Sequence, residues 1–282
     1  MSRKIIIILI ITAVVVFVAF VFFFGKIFTN KTAPINQQIQ GGATNMASLT
    51  LVTEESEKNF YNNFLLTNHD PDNKREALLQ KEGSGIVLKI IDLKTNKVVQ
   101  RENINLEDMD IVWVKPNDVF LIEKPSLAVK SSAWNYNLKN KTLNYLFRDE
   151  PGLMVNWSKN SNLLLKFNGA LSLINNQTAQ VINLPFITLP HKCAFSENNE
   201  KIYCAIPKII PSDIVLPDDY LKNKFYSQDQ IISLSINPVK IEILFDPESE
   251  NDNLDAINPL IVGDYIYFQN RYDNKIYKTK LQ

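Results

Sequence analysis

Apolar residues are distributed very unevenly along the 282-residue chain. The run from Ile5 to Phe24 comprises 20 residues without a charge and with a single hydroxyl group, at Thr12. A helix of that length spans roughly 30 Å, the thickness of the hydrocarbon core of a bilayer. A buried core helix of the same length would show a polar face, which this run lacks. The pattern therefore predicts a transmembrane anchor within residues 1–27.

The flanks of this run predict its orientation. The run exceeds the apolar core of a typical signal peptide, and no small-x-small cleavage site follows it. Arg3 and Lys4 precede it, which favours a cytoplasmic N-terminus. We therefore expect a single-pass protein of the cell membrane whose C-terminal domain lies outside the cytoplasm. Residues 28–47 are polar and aperiodic, which is typical of a flexible linker.

From Phe64 onward, short β-type runs alternate with clusters of turn residues. A strand-to-strand turn recurs in steps of 45, 43, 38 and 65 residues, and an outer hairpin recurs in steps of 45, 38 and 60. The turn positions are Asp72, Asn117, Asn160, Asn198 and Gly263. A period of ~40–45 residues with about four strands per repeat is typical of a β-propeller. Residues 48–282 are thus predicted to form an all-β domain, a small β-propeller of about five four-stranded blades.

The last repeat is too short for four strands. The segment from Gly263 to Leu281 leaves no room for the outermost strand. Leu49–Thr53 follows the predicted linker and has the composition of a strand. We expect this N-terminal strand to complete the last blade and close the ring, because closure removes the exposed edges of the sheets.

Several segments resemble known propeller proteins. Pro71–Leu79, Gly83–Gly85 and Asp92–Thr95 resemble a blade of a TolB-like or WD-repeat-like propeller. Other segments resemble a group of uncharacterised, membrane-anchored bacterial propeller proteins; these segments are Lys192–Cys193, Tyr203–Pro207, Leu216–Tyr220 and Asp255–Asn258. The resemblance covers roughly residues 64–282. It implies a fold and a location, and it implies no activity.

Composition and charge narrow the function classes. The 30 Lys and Arg residues balance the 30 Asp and Glu residues, so a nucleic-acid-binding footprint is absent from the sequence. His69 and His191 are the two histidines, and no Gly-x-Ser-x-Gly elbow accompanies them. An acidic run between Asp246 and Asp255 is interpreted as a solvated loop, with weak calcium binding as the alternative. We therefore predict no catalytic residue, no metal site and no cofactor.

Cys193 and Cys204 are the two cysteines of the chain. Both are equally distant from the turn at Asn198–Asn199, so they are expected to face each other across a hairpin. Facing residues of an antiparallel pair lie ~4.5 Å apart at Cα, at the short end of disulfide reach. An extracytoplasmic domain would permit the bond. The alternatives are two buried, reduced cysteines or, less favoured, a metal site.

The long step in the repeat marks an insertion of about 20 residues between Pro207 and Asp229. Insertions in repeat proteins map to one face, often the binding face. The insertion carries aromatic side chains beside carboxylates, which can contact a peptide or a sugar. The candidate binding residues are Asp218, Asp219, Tyr220, Phe225 and Tyr226. The alternative is an insertion that only covers the rim of the ring.

These observations favour a non-enzymatic, membrane-tethered binding or scaffold module outside the cytoplasm. Its partner is expected to be the membrane together with a protein or polysaccharide of the cell envelope. The alternative is a hydrolase or lyase that acts on an envelope polymer at one face of the propeller. A mouth lined by carboxylates and histidine would favour the enzyme, whereas an apolar or aromatic rim would favour binding.

Overall fold

The structure is a computed structural model, and it describes residues 35–37, 48–64, 67–247 and 253–281. The chain divides into a small unit, Met1–Ile35 with Pro211–Asp213, and a large unit, Asn36–Ile210 with Ile214–Gln282. The fold reported below is that of the large unit. The predicted transmembrane run lies outside the described residues, as does most of the predicted linker. Among the residues that are described, no helix has the length and apolar character needed to cross a membrane.

The large unit is mainly β-structure, which confirms the predicted all-β class. Five antiparallel sheets of three or four strands follow one another along the chain. The strands are β1 (Ile35–Asn36), β2 (Thr50–Leu51), β3 (Arg75–Glu82), β4 (Gly85–Asp92), β5 (Lys97–Asn103), β6 (Met109–Lys115), β7 (Asp118–Glu123), β8 (Lys130–Asn137), β9 (Thr142–Pro151), β10 (Met154–Trp157), β11 (Leu163–Phe167), β12 (Leu171–Asn175), β13 (Val181–Asn183), β14 (Cys193–Phe195), β15 (Lys201–Pro207), β16 (Ile209–Ile210), β17 (Asp229–Ile236), β18 (Val239–Phe245), β19 (Ala256–Val262), β20 (Tyr265–Asn270) and β21 (Ile276–Lys280). The sheet orders are β3-β4-β5, β6-β7-β8-β9, β10-β11-β12-β13, β14-β15-β17-β18 and β19-β20-β21-β2.

The fifth sheet is completed from the N-terminal side of the domain, as the sequence predicts. Thr50 pairs with Lys278 and Leu51 with Tyr277, in antiparallel register. The amide of Val52 continues this ladder by donating to the carbonyl of Ile276 at 2.9 Å. Strand β2 therefore covers an edge of β21 that would otherwise be exposed.

The first sheet differs from the predicted four strands. It has three, and its innermost position is reduced to a single bridge between His69 and Glu76. The helix α1 (Glu55–Phe64), which the sequence analysis did not predict, precedes this sheet in the chain. Tyr61, a residue of α1, has a buried side chain, and its hydroxyl donates to the carbonyl of Asn258 at 2.8 Å.

In several turns of the sheets, asparagine takes the left-handed position that glycine takes in others. Asn73, Asn96 and Asn199 all adopt a positive φ of 54–60°. Asparagine tolerates this left-handed conformation better than other residues with a side chain. These turns set the hairpins that give the sequence its period.

Each sheet shares a hydrophobic core with the next sheet along the chain. Leu88 and Trp134 belong to the core between the first and second sheets, and Phe120 stacks on Trp157 between the second and third at 4.5 Å. Two further clusters join the third sheet to the fourth and the fourth to the fifth. Burying both faces of successive four-stranded sheets against their neighbours is the packing logic of propeller blades.

Candidate functional site

The predicted insertion lies in the fourth sheet. Strand β15 ends at Pro207, which pairs with Asp229 at the start of β17, so the residues between them leave and re-enter the sheet at one point. The insertion contains the short helix α2 (Asp218–Leu221). Its position therefore confirms the long step that the repeat predicts.

The disulfide at the root of the insertion is present. Cys193 faces Cys204 in the β14–β15 register, their Cα atoms lie 4.1 Å apart, and their sulfur atoms are bonded. Both residues are buried. The bond joins two neighbouring strands three residues before Pro207, and it fixes the strand from which the insertion departs.

A cluster of buried charges lies beside this bond. The Lys192 ammonium contacts Asp229 Oδ2 at 2.7 Å and Asp255 Oδ1 at 2.6 Å, and all three side chains are at most 1% exposed. The same ammonium donates to the hydroxyl oxygens of Tyr220 at 3.0 Å and Ser227 at 2.9 Å. This cluster, which we call the Lys192 cluster, joins the insertion to the starts of β14, β17 and β19.

Burial and pairing oppose each other in the Lys192 cluster. Burial alone would lower the pKa of Lys192, but the neighbouring carboxylates outweigh it and raise that pKa. Burial raises the pKa of Asp229 to about 6, against the effect of Lys192. Burial also acts to raise the pKa of Asp255, but Lys192 reverses this and the pKa is lowered. Lys192 and Asp255 are thus held as an ion pair, and Asp229 is the group closest to gaining a proton.

Arg271 extends the Lys192 cluster towards the surface. Its guanidinium donates to Asp255 Oδ2 at 2.7 Å and to the carbonyl of Tyr220 at 3.0 Å. It also lies 3.9 Å from the centre of the Tyr220 ring and 4.5 Å from that of Tyr226. Two cations and two carboxylates therefore balance within one buried group. Asp229 Oδ1 accepts no hydrogen bond in the part of the chain that the structure describes.

The two predicted carboxylates of the insertion make intramolecular contacts. Asp218 is buried and accepts hydrogen bonds from Ser126 Oγ at 2.9 Å and from the Leu127 amide at 2.7 Å, so it ties the insertion to the second sheet. Asp219 is half-buried and accepts from the Val215 amide at 2.8 Å, which closes the first turn of α2.

The three predicted aromatic residues have different environments. Tyr220 and Phe225 are buried, and the Tyr220 hydroxyl donates to Asp255 Oδ1 at 2.5 Å. Tyr226 is 40% exposed, and its ring lies 5.4 Å from that of Tyr272. The insertion is thus held in place largely by the residues predicted to bind a ligand. Ligand binding by these five residues stays a prediction.

A cavity of about 720 Å³ lies where the inner strands of the second, third, fourth and fifth sheets meet. Most of its lining is apolar, and its polar groups are few. The apolar lining comprises Ile111, Val112, Ile122, Pro125, Leu153, Met154, Val155, Trp157, Cys193, Leu221 and Pro259. The polar lining comprises Thr67, Asp110, Lys124, Asn156, His191 and Asn258. Because Leu221 belongs to α2, the insertion forms part of the wall.

The ionisable groups of this cavity are Asp110, Lys124 and His191. His191 is half-buried, and burial together with the neighbouring Lys192 charge lowers its pKa to about 3. Its imidazole is therefore neutral near pH 7. Partial burial raises the pKa of Asp110, while Lys124 opposes that change. Lys124 is itself paired with Asp108 in a surface contact.

Two further features of the sequence have structural explanations. His69 pairs with Glu76 in a β-bridge, and its Nδ1 is 2.6 Å from Asn73 Oδ1 in the turn that follows. Across the described ranges, no three His, Cys, Asp or Glu side chains come together in a way that could hold a metal ion. Part of the acidic run, residues 248–252, lies outside those ranges.

Sequence reasoning did not identify Lys192, Asp229, Asp255 or Arg271 as a group. Lys192, Asp229 and Asp255 each stand immediately before or at the start of an apolar strand. A charged residue at or just before the beginning of each of the strands β14, β17 and β19 is a signal that could have indicated a buried cluster. The pairing itself depends on contacts between residues up to 63 positions apart.

Comparisons with known proteins yield likeness to solved structures alone. No family model matches the chain, and no curated protein matches it. TolB from Acinetobacter baumannii is 11% identical with a TM-score of 0.42, over 76% of this chain and 53% of that chain. A putative TolB from Agrobacterium tumefaciens is 13% identical with a TM-score of 0.41, over 71% of this chain and 67% of that chain. A puromycin hydrolase mutant in complex with PGG is 9% identical with a TM-score of 0.40, over 72% of this chain and 33% of that chain.

The chain therefore spans about half the length of the first of these structures. The matches include both TolB proteins, the class that the sequence resembles, and a hydrolase. At such identities and TM-scores, they assign neither a family nor an activity to this chain.

Proposed function

We propose that this chain is a non-enzymatic binding module, built as a five-bladed propeller, whose central cavity takes an apolar stretch of a partner protein. The observation that carries the proposal is the lining of the 720 Å³ cavity, which is mostly aliphatic and proline. Its volume falls within the range of ~300–1,000 Å³ that is typical of ligand sites. Apolar walls favour the side chains of a peptide over the hydroxyl groups of a polysaccharide.

The cavity also has a rigid wall. The insertion contributes Leu221, and the Lys192 cluster and the Cys193–Cys204 bond hold the insertion in place. A wall that is ordered before binding reduces the entropy lost on association. The insertion thus serves binding indirectly, by shaping the cavity.

An envelope location is the second part of the proposal. The apolar run from Ile5 to Phe24 supports a membrane anchor, and Arg3 and Lys4 before it favour a domain outside the cytoplasm. The disulfide supports this placement, because such bonds persist mainly in oxidising compartments. Protease added to intact spheroplasts should digest the domain, whereas full protection would reverse the proposed orientation.

The alternative is a hydrolase or lyase at the same cavity. The observation in its favour is His191, whose lowered pKa leaves a neutral imidazole on the wall. Asp110 is the carboxylate on that wall. A reaction of this kind requires an acid and a base that converge on one bond, and a His191→Ala variant with lost turnover of an envelope polymer would favour it.

The test of binding is affinity capture from envelope extracts with the anchor intact, followed by mass spectrometry. Val155→Trp fills the cavity, and Val181→Trp, at a residue 57% exposed on an outer strand, is the matched control. We expect a partner that the wild type and Val181→Trp retain and Val155→Trp loses. Equal retention by all three folded proteins would contradict the proposal.

A further inference from the structure

A second cavity differs from the central one in its chemistry. It has a volume of about 550 Å³ and lies beside the fifth sheet. Three aromatic residues and four polar residues make up most of its lining, together with two leucines. The lining comprises Ser48, Leu49, Phe245, Asn253, Leu254, Asn270, Tyr272, Asp273 and Tyr277. Neither lysine nor arginine belongs to this described lining.

From this arrangement we infer that the cavity at Tyr272 binds a neutral saccharide. A sugar ring presents an apolar C–H face and a rim of hydroxyl groups. An exposed aromatic ring can stack on the C–H face, and carboxylate and amide oxygens can accept hydrogen bonds from the hydroxyl groups. This proposal rests on the fifth sheet and is independent of the central cavity and its partner.

Tyr272 supplies the stacking surface. Its side chain is 41% exposed, so part of the ring is open to a ligand. Its ring lies 5.4 Å from that of Tyr226, at an angle of 42°. Tyr226 in turn lies 4.5 Å from the Arg271 guanidinium, which Asp255 holds at 2.7 Å. The ring that faces the cavity is thus positioned by a buried ion pair before any ligand arrives, which lowers the entropic cost of binding.

Asp273 and Asn253 supply the hydrogen-bonding groups, because the buried Asn270 side chain already bonds to protein backbone. Asp273 Oδ2 accepts from the Tyr277 hydroxyl at 2.7 Å and Oδ1 accepts from the Lys275 amide at 3.1 Å, which orients the carboxylate. A carboxylate has about four acceptor sites, so these two bonds leave capacity for ligand hydroxyl groups. Asn253 is exposed at the cavity.

Charge selects against other ligand classes. An anionic ligand such as a phosphate would meet the Asp273 carboxylate, and the nearby Lys275 ammonium lies outside the lining and is paired with that carboxylate at 4.0 Å. An apolar peptide would leave the polar groups of the cavity unpaired, which is unfavourable. A neutral, hydroxyl-rich ligand is the class that satisfies both the rings and the polar groups.

The experiment screens the full chain, extracted in detergent, against an array of neutral and charged oligosaccharides. Any neutral oligosaccharide that binds is then titrated by calorimetry. Tyr272→Ala removes the ring and should weaken binding by about tenfold, because a stacked ring is the main apolar contact. Tyr272→Phe keeps the ring and should stay within about threefold of the wild type.

Tyr265→Ala is the matched control, because Tyr265 is 40% exposed in the same sheet and does not line the cavity. This control should bind like the wild type. Folded full-chain protein that binds no neutral saccharide would overturn the proposal, as would binding of charged saccharides alone. Equal affinity of the wild type and a folded Tyr272→Ala variant would overturn it as well.

Discussion

Replacing Lys192 with methionine tests how much the Lys192 cluster contributes to the stability of the fold. Methionine matches the length of the lysine stem and removes the ammonium that contacts Asp229 at 2.7 Å and Asp255 at 2.6 Å. Arg271 still pairs with Asp255, so Asp229 becomes the uncompensated carboxylate. Breaking a buried ion pair from one side costs about 3–5 kcal/mol of stability. At about 2–4 °C per kcal/mol for a domain of this size, Tm should fall by more than about 6 °C.

The pH dependence follows from the same geometry. The pKa of Asp229 is already raised to about 6 by burial, and loss of the Lys192 cation should raise it further. A group whose pKa is higher in the folded state favours folding below its unfolded value of about 3.9, and this contribution is lost as pH rises through the folded pKa. The variant should therefore be less destabilised at pH 5 than at pH 8.

Urea unfolding of the wild type, Lys192→Met and the Lys192→Met, Asp229→Asn double variant measures these changes. The double variant removes the uncompensated charge and should be more stable than Lys192→Met alone. Lys222→Met is the control, because the Lys222 side chain is exposed and its pair with Asp218 at 3.3 Å is worth about 1 kcal/mol or less. A loss below about 1 kcal/mol for Lys192→Met, or no recovery in the double variant, would refute the reasoning.

Three further predictions concern the disulfide, the closing strand and His191. Replacing both Cys193 and Cys204 with alanine should lower the free energy of unfolding by at most ~3 kcal/mol. It should also accelerate hydrogen exchange in residues 214–229 more than elsewhere, whereas uniform acceleration would show that the bond has no local role. Deleting residues 48–52 exposes the edge of β21 and should lower Tm in a thermal scan, whereas an unchanged Tm would show that β2 does not stabilise the sheet. The His191 ring should show constant NMR shifts from pH 5 to pH 8, because its pKa is lowered to about 3, and a midpoint near 6.5 would contradict its burial.

The elements that sequence predicts well are those set by local signals. Period-2 strands and asparagine turns recur at regular intervals, so the sheets, the insertion and the facing pair Cys193–Cys204 follow from spacing alone. Completion of the last sheet by Leu49–Thr53 follows because the segment from Gly263 to Leu281 is too short to supply the outermost strand. The helix α1 was missed because its ten residues are mostly polar, and among residues 55–62, whose burial is described, Tyr61 is the one buried side chain.

The candidate sites depended on long-range contacts that spacing does not reveal. Aromatic residues beside carboxylates indicated a binding surface at Tyr220, whereas the structure uses Tyr220 to pair with Asp255, 35 residues away. Lys192 lies next to Cys193, but its partners come from two other strands. Gln37 lies within the predicted linker, yet it is buried and its amide donates to the carbonyl of Ile187 at 2.8 Å.

The central claim is that a partner protein occupies the apolar cavity, and site-specific photo-cross-linking in cells measures it most directly. A photoreactive amino acid at Ile111 places the probe on the cavity wall, and the same amino acid at Val239, 59% exposed on an outer strand, is the control. The account predicts a discrete cross-linked protein of the envelope with Ile111 and none with Val239. Absence of any adduct at Ile111 in folded, membrane-inserted protein, or the same adduct at both positions, would contradict it.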